Sequence, residues 1–96
     1  MSYYFVAQIG IRDQETYRKY LEKVDEVFAR YHGKYLAVDD KPLVLEGKWN
    51  YNRSVLIQFD SKEDFESWYH STDYQEILKY RLASSASDTI LIQGLS

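Results

Sequence analysis

No cysteine occurs among the 96 residues, which excludes a thiol nucleophile, a stabilising disulfide, an iron-sulfur cluster and a Cys-ligated zinc site. Four glycines are too few to suggest a Gly-rich phosphate loop, and neither a Ser nucleophile elbow nor a zinc signature is found. The two histidines, His32 and His70, stand 38 positions apart with no carboxylate at ligand spacing beside either, so no metal and no proximal haem ligand is assigned. No apolar run approaches the ~18 residues of a membrane span, and Met1-Ser2-Tyr3 lacks the basic start of a signal peptide. Twelve basic and 15 acidic residues are interspersed, giving a net charge of -3 and no footprint for nucleic acid. The expectation is a cytoplasmic protein with no cofactor, no membrane and no nucleic-acid partner.

What is present is a chain that is 45% hydrophobic, with ten tyrosines. At this length only one domain, spanning 1-96, has room to form. It buries roughly two thirds of its unfolded surface, so self-association is the expected supplement to a modest core.

Tyr3 to Ile9 reads as a strand with Tyr3, Phe5, Ala7 and Ile9 on one face and Tyr4, Val6 and Gln8 on the other. Asp13 then offers an N-cap. Behind it Tyr17, Tyr20, Leu21, Val24, Val27, Phe28 and Tyr31 recur at helical spacing, and Gly33 stands where a left-handed cap belongs. Lys34 to Val38 reads as a short strand. Leu43 to Trp49 reads as another, in a hairpin with Arg53 to Phe59 that sets Trp49 opposite Arg53 and Leu45 opposite Ile57. Ser61 opens a short helix with Phe65, Trp68 and Tyr69. Thr72 restarts it with Tyr74, Ile77, Leu78, Arg81 and Leu82 facing inward, and Thr89 to Leu95 closes the chain as a strand.

The order is β-α-β-β-α-β, an α+β unit whose helices cover one face of an antiparallel sheet. The other face would carry Tyr4, Val6, Val44, Leu56 and either Leu91 or Ile90 with Ile92. An apolar patch of that kind calls for a partner, and a homodimer through the sheet face is expected.

Gly33-Lys34-Tyr35-Leu36, Leu45-Glu46-Gly47-Lys48-Trp49, Arg53-Ser54-Val55, Trp68-Tyr69-His70-Ser71 and Tyr74-Gln75 resemble the family called domain of unknown function 1330 over almost the whole chain. The resemblance implies a ferredoxin-like βαββαβ sandwich of the dimeric α+β barrel superfamily. That superfamily also holds cofactor-free monooxygenases, muconolactone isomerases, haem-degrading enzymes and proteins without known activity, and fold likeness does not choose among them. Against the family pattern, His32 stands for a Gly, Lys48 for an acid, Thr72 for a Pro, and Tyr80 for the Leu before Arg81. Lys48 reverses a charge and would disturb any site built on a carboxylate there.

Six residues are ligand-binding candidates; catalytic residues stay unassigned. Arg53 and Trp49 would share the turn end of the hairpin, where Arg53 could hold a carboxylate or enolate against an indole wall, or stack on Trp49 and pair with a helix acid. Trp68, Tyr69 and Tyr74 lie near the break in the second helix, where a phenol could donate to an oxyanion or simply pack in the core. Arg81 falls on the buried stripe, facing a ligand anion or pairing with an acid. By strand parity Glu46 belongs to the dimer face, His32 to a helix end, and His70 to the helix break. Two functions are thus carried forward. One is a dimer whose small helix-side pocket takes an apolar anionic or carbonyl-bearing molecule, with cofactor-free isomerase or monooxygenase chemistry open to it; the other is a non-catalytic dimeric module with no open pocket.

Overall fold

A computed structural model describes residues 1–95 as β1 (Tyr3–Ile11), α1 (Gln14–Phe28), β2 (Lys34–Asp39), β3 (Arg53–Phe59), α2 (Lys62–Tyr69), α3 (Thr72–Ser84) and β4 (Ser85–Gln93). The strands make one antiparallel sheet in the order β2-β3-β1-β4, the ferredoxin-like arrangement with its second helix broken in two. Among the described residues no helix is long and apolar enough to cross a membrane.

Strand alternation sends Phe5, Ala7 and Ile9 of β1 and Ile57 and Phe59 of β3 beneath the helices, where all five are buried. Asp13 caps α1 by accepting from the Thr16 amide at 3.2 Å, and Tyr17, Tyr20, Val24, Val27 and Phe28 form the buried stripe of that helix. Leu21, expected with them, is 38% exposed. The helix stops at Phe28, earlier than expected, and Gly33 is not in the left-handed region. Its role is steric: a Cβ there would lie 2.7 Å from Phe59 Cε1 and closer still to the Phe28 ring, so only glycine lets the chain enter β2 at this point. His32 therefore lies beyond the helix and does not serve its C-terminus.

Ser61 caps α2 through the Asp64 amide at 3.1 Å. At the break, Ser71 and not Thr72 is the cap, because its Oγ accepts from the Tyr74 amide at 3.1 Å while donating to the Trp68 carbonyl at 2.7 Å. One hydroxyl thus ends α2 and starts α3. Leu82, expected inside, is 61% exposed, whereas Ser84 is buried and its carbonyl accepts the Arg12 and Asp13 amides at 2.8 and 3.1 Å. That turn starts β4 at Ser85, four residues ahead of the expected Thr89.

The largest departure is the segment 43–49, which forms no strand. The place beside β3 is occupied by β2, in a register that pairs Tyr35 with Ile57 and Val38 with Val55. On the other side of β3 stands β1, and Asn52 already extends that ladder, with its amide on the Ile9 carbonyl at 2.9 Å and its side chain on both backbone groups of Ile11. No edge of β3 is left, so Leu43 and Leu45 stand 86% and 84% exposed in a connecting loop. Glu46 is exposed in the same loop and Val44 is absent from the sheet face, which voids the parity argument for both.

On the open face Val6 pairs with Leu56 on one side and Ile90 on the other, and Tyr4 pairs with Ile92. Ile90 and Ile92 are the outward residues of β4, at 59% and 45% exposure, while Leu91 packs against the core. A bulge between Tyr35 and Ala37 inserts an extra residue into β2.

Candidate functional site

α1 packs on α3, and β2 at the sheet edge stays exposed along its length. Between α1 and the β2 side of the sheet lies a cavity of about 260 Å³. Its floor is apolar, with Phe5, Ala7 and Ile9 from β1 and Val55 and Ile57 from β3. The bulge lets Tyr35 and Val38, at odd and even positions of one strand, both line it.

Arg53, Trp68 and Arg81 line this cavity; Trp49, Tyr69 and Tyr74 do not. Trp49 stands in the loop after β2, edge-on to Tyr51 at 5.2 Å, because the hairpin that would have set it opposite Arg53 does not form. Tyr69 stacks on Phe65 at 5.3 Å. Tyr74 is fully buried behind the cavity wall, where its hydroxyl pairs with that of Tyr20 at 2.7 Å and its ring packs on Trp68 at 4.2 Å. His70 is exposed at the end of α2 and lies against Tyr69.

Each cavity-lining candidate brings an N–H donor. Arg53, at the start of β3, donates from Nη1 to Asp40 Oδ1 at 2.7 Å, a loop carboxylate in place of the expected helix acid, while its buried Nε has no partner among the described residues. The buried Trp68 indole N–H is likewise without a partner among the described residues. Arg81 is only 3% exposed and gives Nη1 to Ser87 Oγ at 2.7 Å; among the described residues no carboxylate lies within ion-pairing distance of it. Its guanidinium also sits 6.0 Å from the centre of the Tyr20 ring.

The surrounding phenols do not neutralise that charge. Burial pushes Tyr20 well above the ordinary tyrosine value, with Tyr74 adding to the effect, and burial likewise raises Tyr74 against the pull of Arg81. Tyr17 is raised by burial and drawn back by Arg53 and Arg81, so its phenol feels both cations. Partial burial of its ring against the cavity, and then the Asp25 carboxylate, raise Tyr35, although the residue is still 37% exposed at the sheet edge. All four stay protonated at neutral pH and can donate. Among the described residues Asp25 is the sole carboxylate of the lining, and it is solvent-exposed.

The sequence pattern placed Tyr17 and Tyr20 in the helix core and Tyr35 on a strand without marking them as site residues. The available signal was chemical: several hydroxyls on faces assigned to burial, each needing a partner that leucine or phenylalanine would not.

The family model described as domain of unknown function (DUF1330) matches residues 2–95. Among curated proteins none matches. A crystal structure of a protein of unknown function from Rhodopseudomonas palustris superposes with a TM-score of 0.83 at 20% identity, covering 99% of this chain and 83% of that one. SnoaB, a cofactor-independent oxygenase from Streptomyces nogalater, gives 0.70 at 14% identity, with 99% and 94% covered. A dimeric ferredoxin-like protein of unknown function from Thermobifida fusca gives 0.71 at 14% identity, with 98% and 92% covered.

Proposed function

The chain belongs to the family described as domain of unknown function 1330, and from that premise we propose that it is a homodimer whose helix-side cavity binds a small, largely apolar molecule bearing a carboxylate, enolate or carbonyl oxygen. The observation that carries this reading is Arg81, a guanidinium held out of water with no carboxylate beside it among the described residues. An uncompensated buried charge costs several kcal/mol, roughly 3–5 in proteins where one partner of a buried pair has been removed, and a bound anion would offset that cost. The unpartnered N–H groups of Arg53 and Trp68 line the same space and suit the same ligand.

Such a donor set holds developing negative charge on oxygen, which suits proton transfer at an acidic carbon or cofactor-free oxygen chemistry. Either reaction also needs a base, and among the described residues of the lining Asp25 is the one carboxylate. The likeness to SnoaB agrees with that direction at the level of the fold. The cavity weighs against the alternative of a non-catalytic module with no open pocket. The homodimer is supported by the exposed Ile90 and Ile92 beside Tyr4, Val6 and Leu56, and by relatives described as dimeric. A cytoplasmic setting fits the cysteine-free chain.

A thermal-shift screen of aromatic acids, β-keto acids and lactones tests the binding. A ligand at a hundred times its dissociation constant should stabilise the fold by about 2.7 kcal/mol, and Arg81→Met should remove the effect. An equal shift in wild type and variant would place the ligand elsewhere. Light scattering tests the dimer: a particle of 11.4 kDa at micromolar concentration contradicts it, and twice that mass supports it.

A further inference from the structure

The two arginines of the cavity are not equivalent. Resting on the anion-binding reading above, we infer that the ligand is a carboxylic acid with a second, neutral oxygen: its carboxylate meets Arg81 and a carbonyl or hydroxyl oxygen at its far end meets Arg53. Asp40 is the residue that makes the two ends unlike.

The sheet register sets the two anchors apart. Ile9 pairs with Arg53 on β3 and with Ser87 on β4, and Ser87 holds the Arg81 guanidinium at 2.7 Å. The backbone positions of Arg53 and Ser87 therefore flank β1 at one level, two strand spacings or about 9–10 Å apart, and the two guanidiniums reach the cavity from opposite sides of β1. The Tyr17 phenol lines the same cavity and is drawn on by both cations. Ile9, Ala7 and Val55 make the floor apolar, and 260 Å³ lies just below the usual range of about 300–1,000 Å³ for small-molecule pockets, which suits a single-ring body.

Charge separates the ends. Arg81 keeps its whole charge, since its near neighbours are neutral phenols and a serine hydroxyl. A full anion is its complement. Arg53 has already met Asp40 at 2.7 Å, and the donor it keeps fully buried without a partner among the described residues is its Nε–H. A neutral acceptor satisfies that N–H. A second carboxylate there would gain little from a neutralised guanidinium and would be repelled by Asp40. Asp40 is 72% exposed in its side chain, so it can be changed without touching the core.

Isothermal titration with benzoate, 4-acetylbenzoate and terephthalate tests this. The wild type should bind 4-acetylbenzoate about tenfold more tightly than benzoate, the size of one hydrogen bond, and terephthalate no better than benzoate. Asp40→Asn should lift terephthalate above 4-acetylbenzoate, and Arg53→Gln should bring 4-acetylbenzoate down to the level of benzoate. Equal binding of benzoate and 4-acetylbenzoate by the wild type, or an unchanged ligand order in Asp40→Asn, overturns the two-ended ligand while leaving the anion pocket standing. Failure of all three acids to bind the wild type overturns both.

Discussion

The helix-covered face of the sheet is built on two opposite plans. Toward α2 it is filled with rings: Phe59 meets Phe28, Phe65 and Trp68 at centroid distances of 5.6–6.1 Å, and Phe5 meets Phe65 and Trp68 at 5.8 and 5.5 Å. Around Arg53, Ile9 and Ser87, on the same face, it holds a cavity and two guanidiniums. Aromatic burial is the efficient way for a small chain without cross-links to stabilise itself. One end uses it densely, while the other leaves a cavity and buried donors without partners among the described residues, an arrangement that costs stability rather than adding to it.

The sharpest test removes a ring from the filled end. Phe59→Ala, at a position with no exposure, should cost about 3–5 kcal/mol by urea denaturation at fixed protein concentration, since a cavity opens among rings that cannot collapse onto it. At the other end the sign should reverse. Arg81→Met should leave the unliganded protein as stable as wild type or raise it by about 1–4 kcal/mol, read from the same denaturation curves. A loss as large as that of Phe59→Ala would erase the distinction between the ends.

A smaller effect probes the seam between them. Tyr20→Phe should cost about 1–2 kcal/mol by leaving the Tyr74 hydroxyl unpaired in the interior, and adding Tyr74→Phe should recover part of it, as a double-mutant cycle would show. The smallest effect lies outside both ends, where Asp73 at the start of α3 accepts from Arg30 at 2.8 Å and Tyr31 at 3.0 Å. Hydrogen bonding by Ser71 first, then Tyr31 and Arg30, outweighs burial and holds its pKa down to about 2, from 3.8. A depressed carboxylate contributes stability above its unfolded value, so this contribution should be whole above about pH 4 and fade as pH falls toward 2. Asp73→Asn should flatten that part of the acid denaturation curve.

Much of this was legible from residue patterns, and the exceptions share a cause. The elements around Asp13, Ser61 and the β1 alternation follow local rules of capping and periodicity, and the structure keeps them. Leu43 to Trp49 obeys the same alternation rule and is no strand, because β2 and β1 already occupy the edges of β3 and strand pairing is a competition that no local pattern decides. The site divides likewise. Arg81 on a buried stripe was readable, and so was the helix-side parity of Arg53. Its pairing with Asp40 spans a loop whose path is set by the missing strand, and the arrival of Tyr35 depends on a bulge without a sequence mark.

The two tryptophans turn these differences into light. Trp68, 1% exposed, lines the cavity, whereas Trp49, 38% exposed, stands on the apolar loop after β2. Trp68 is packed among aromatic rings and should be shielded from iodide, its emission changing if a ligand fills the cavity; Trp49 should be quenched in the free chain and shielded if that loop is covered. One emission spectrum then carries two separable channels, occupancy in the blue and contact in the red, without a label attached to the chain.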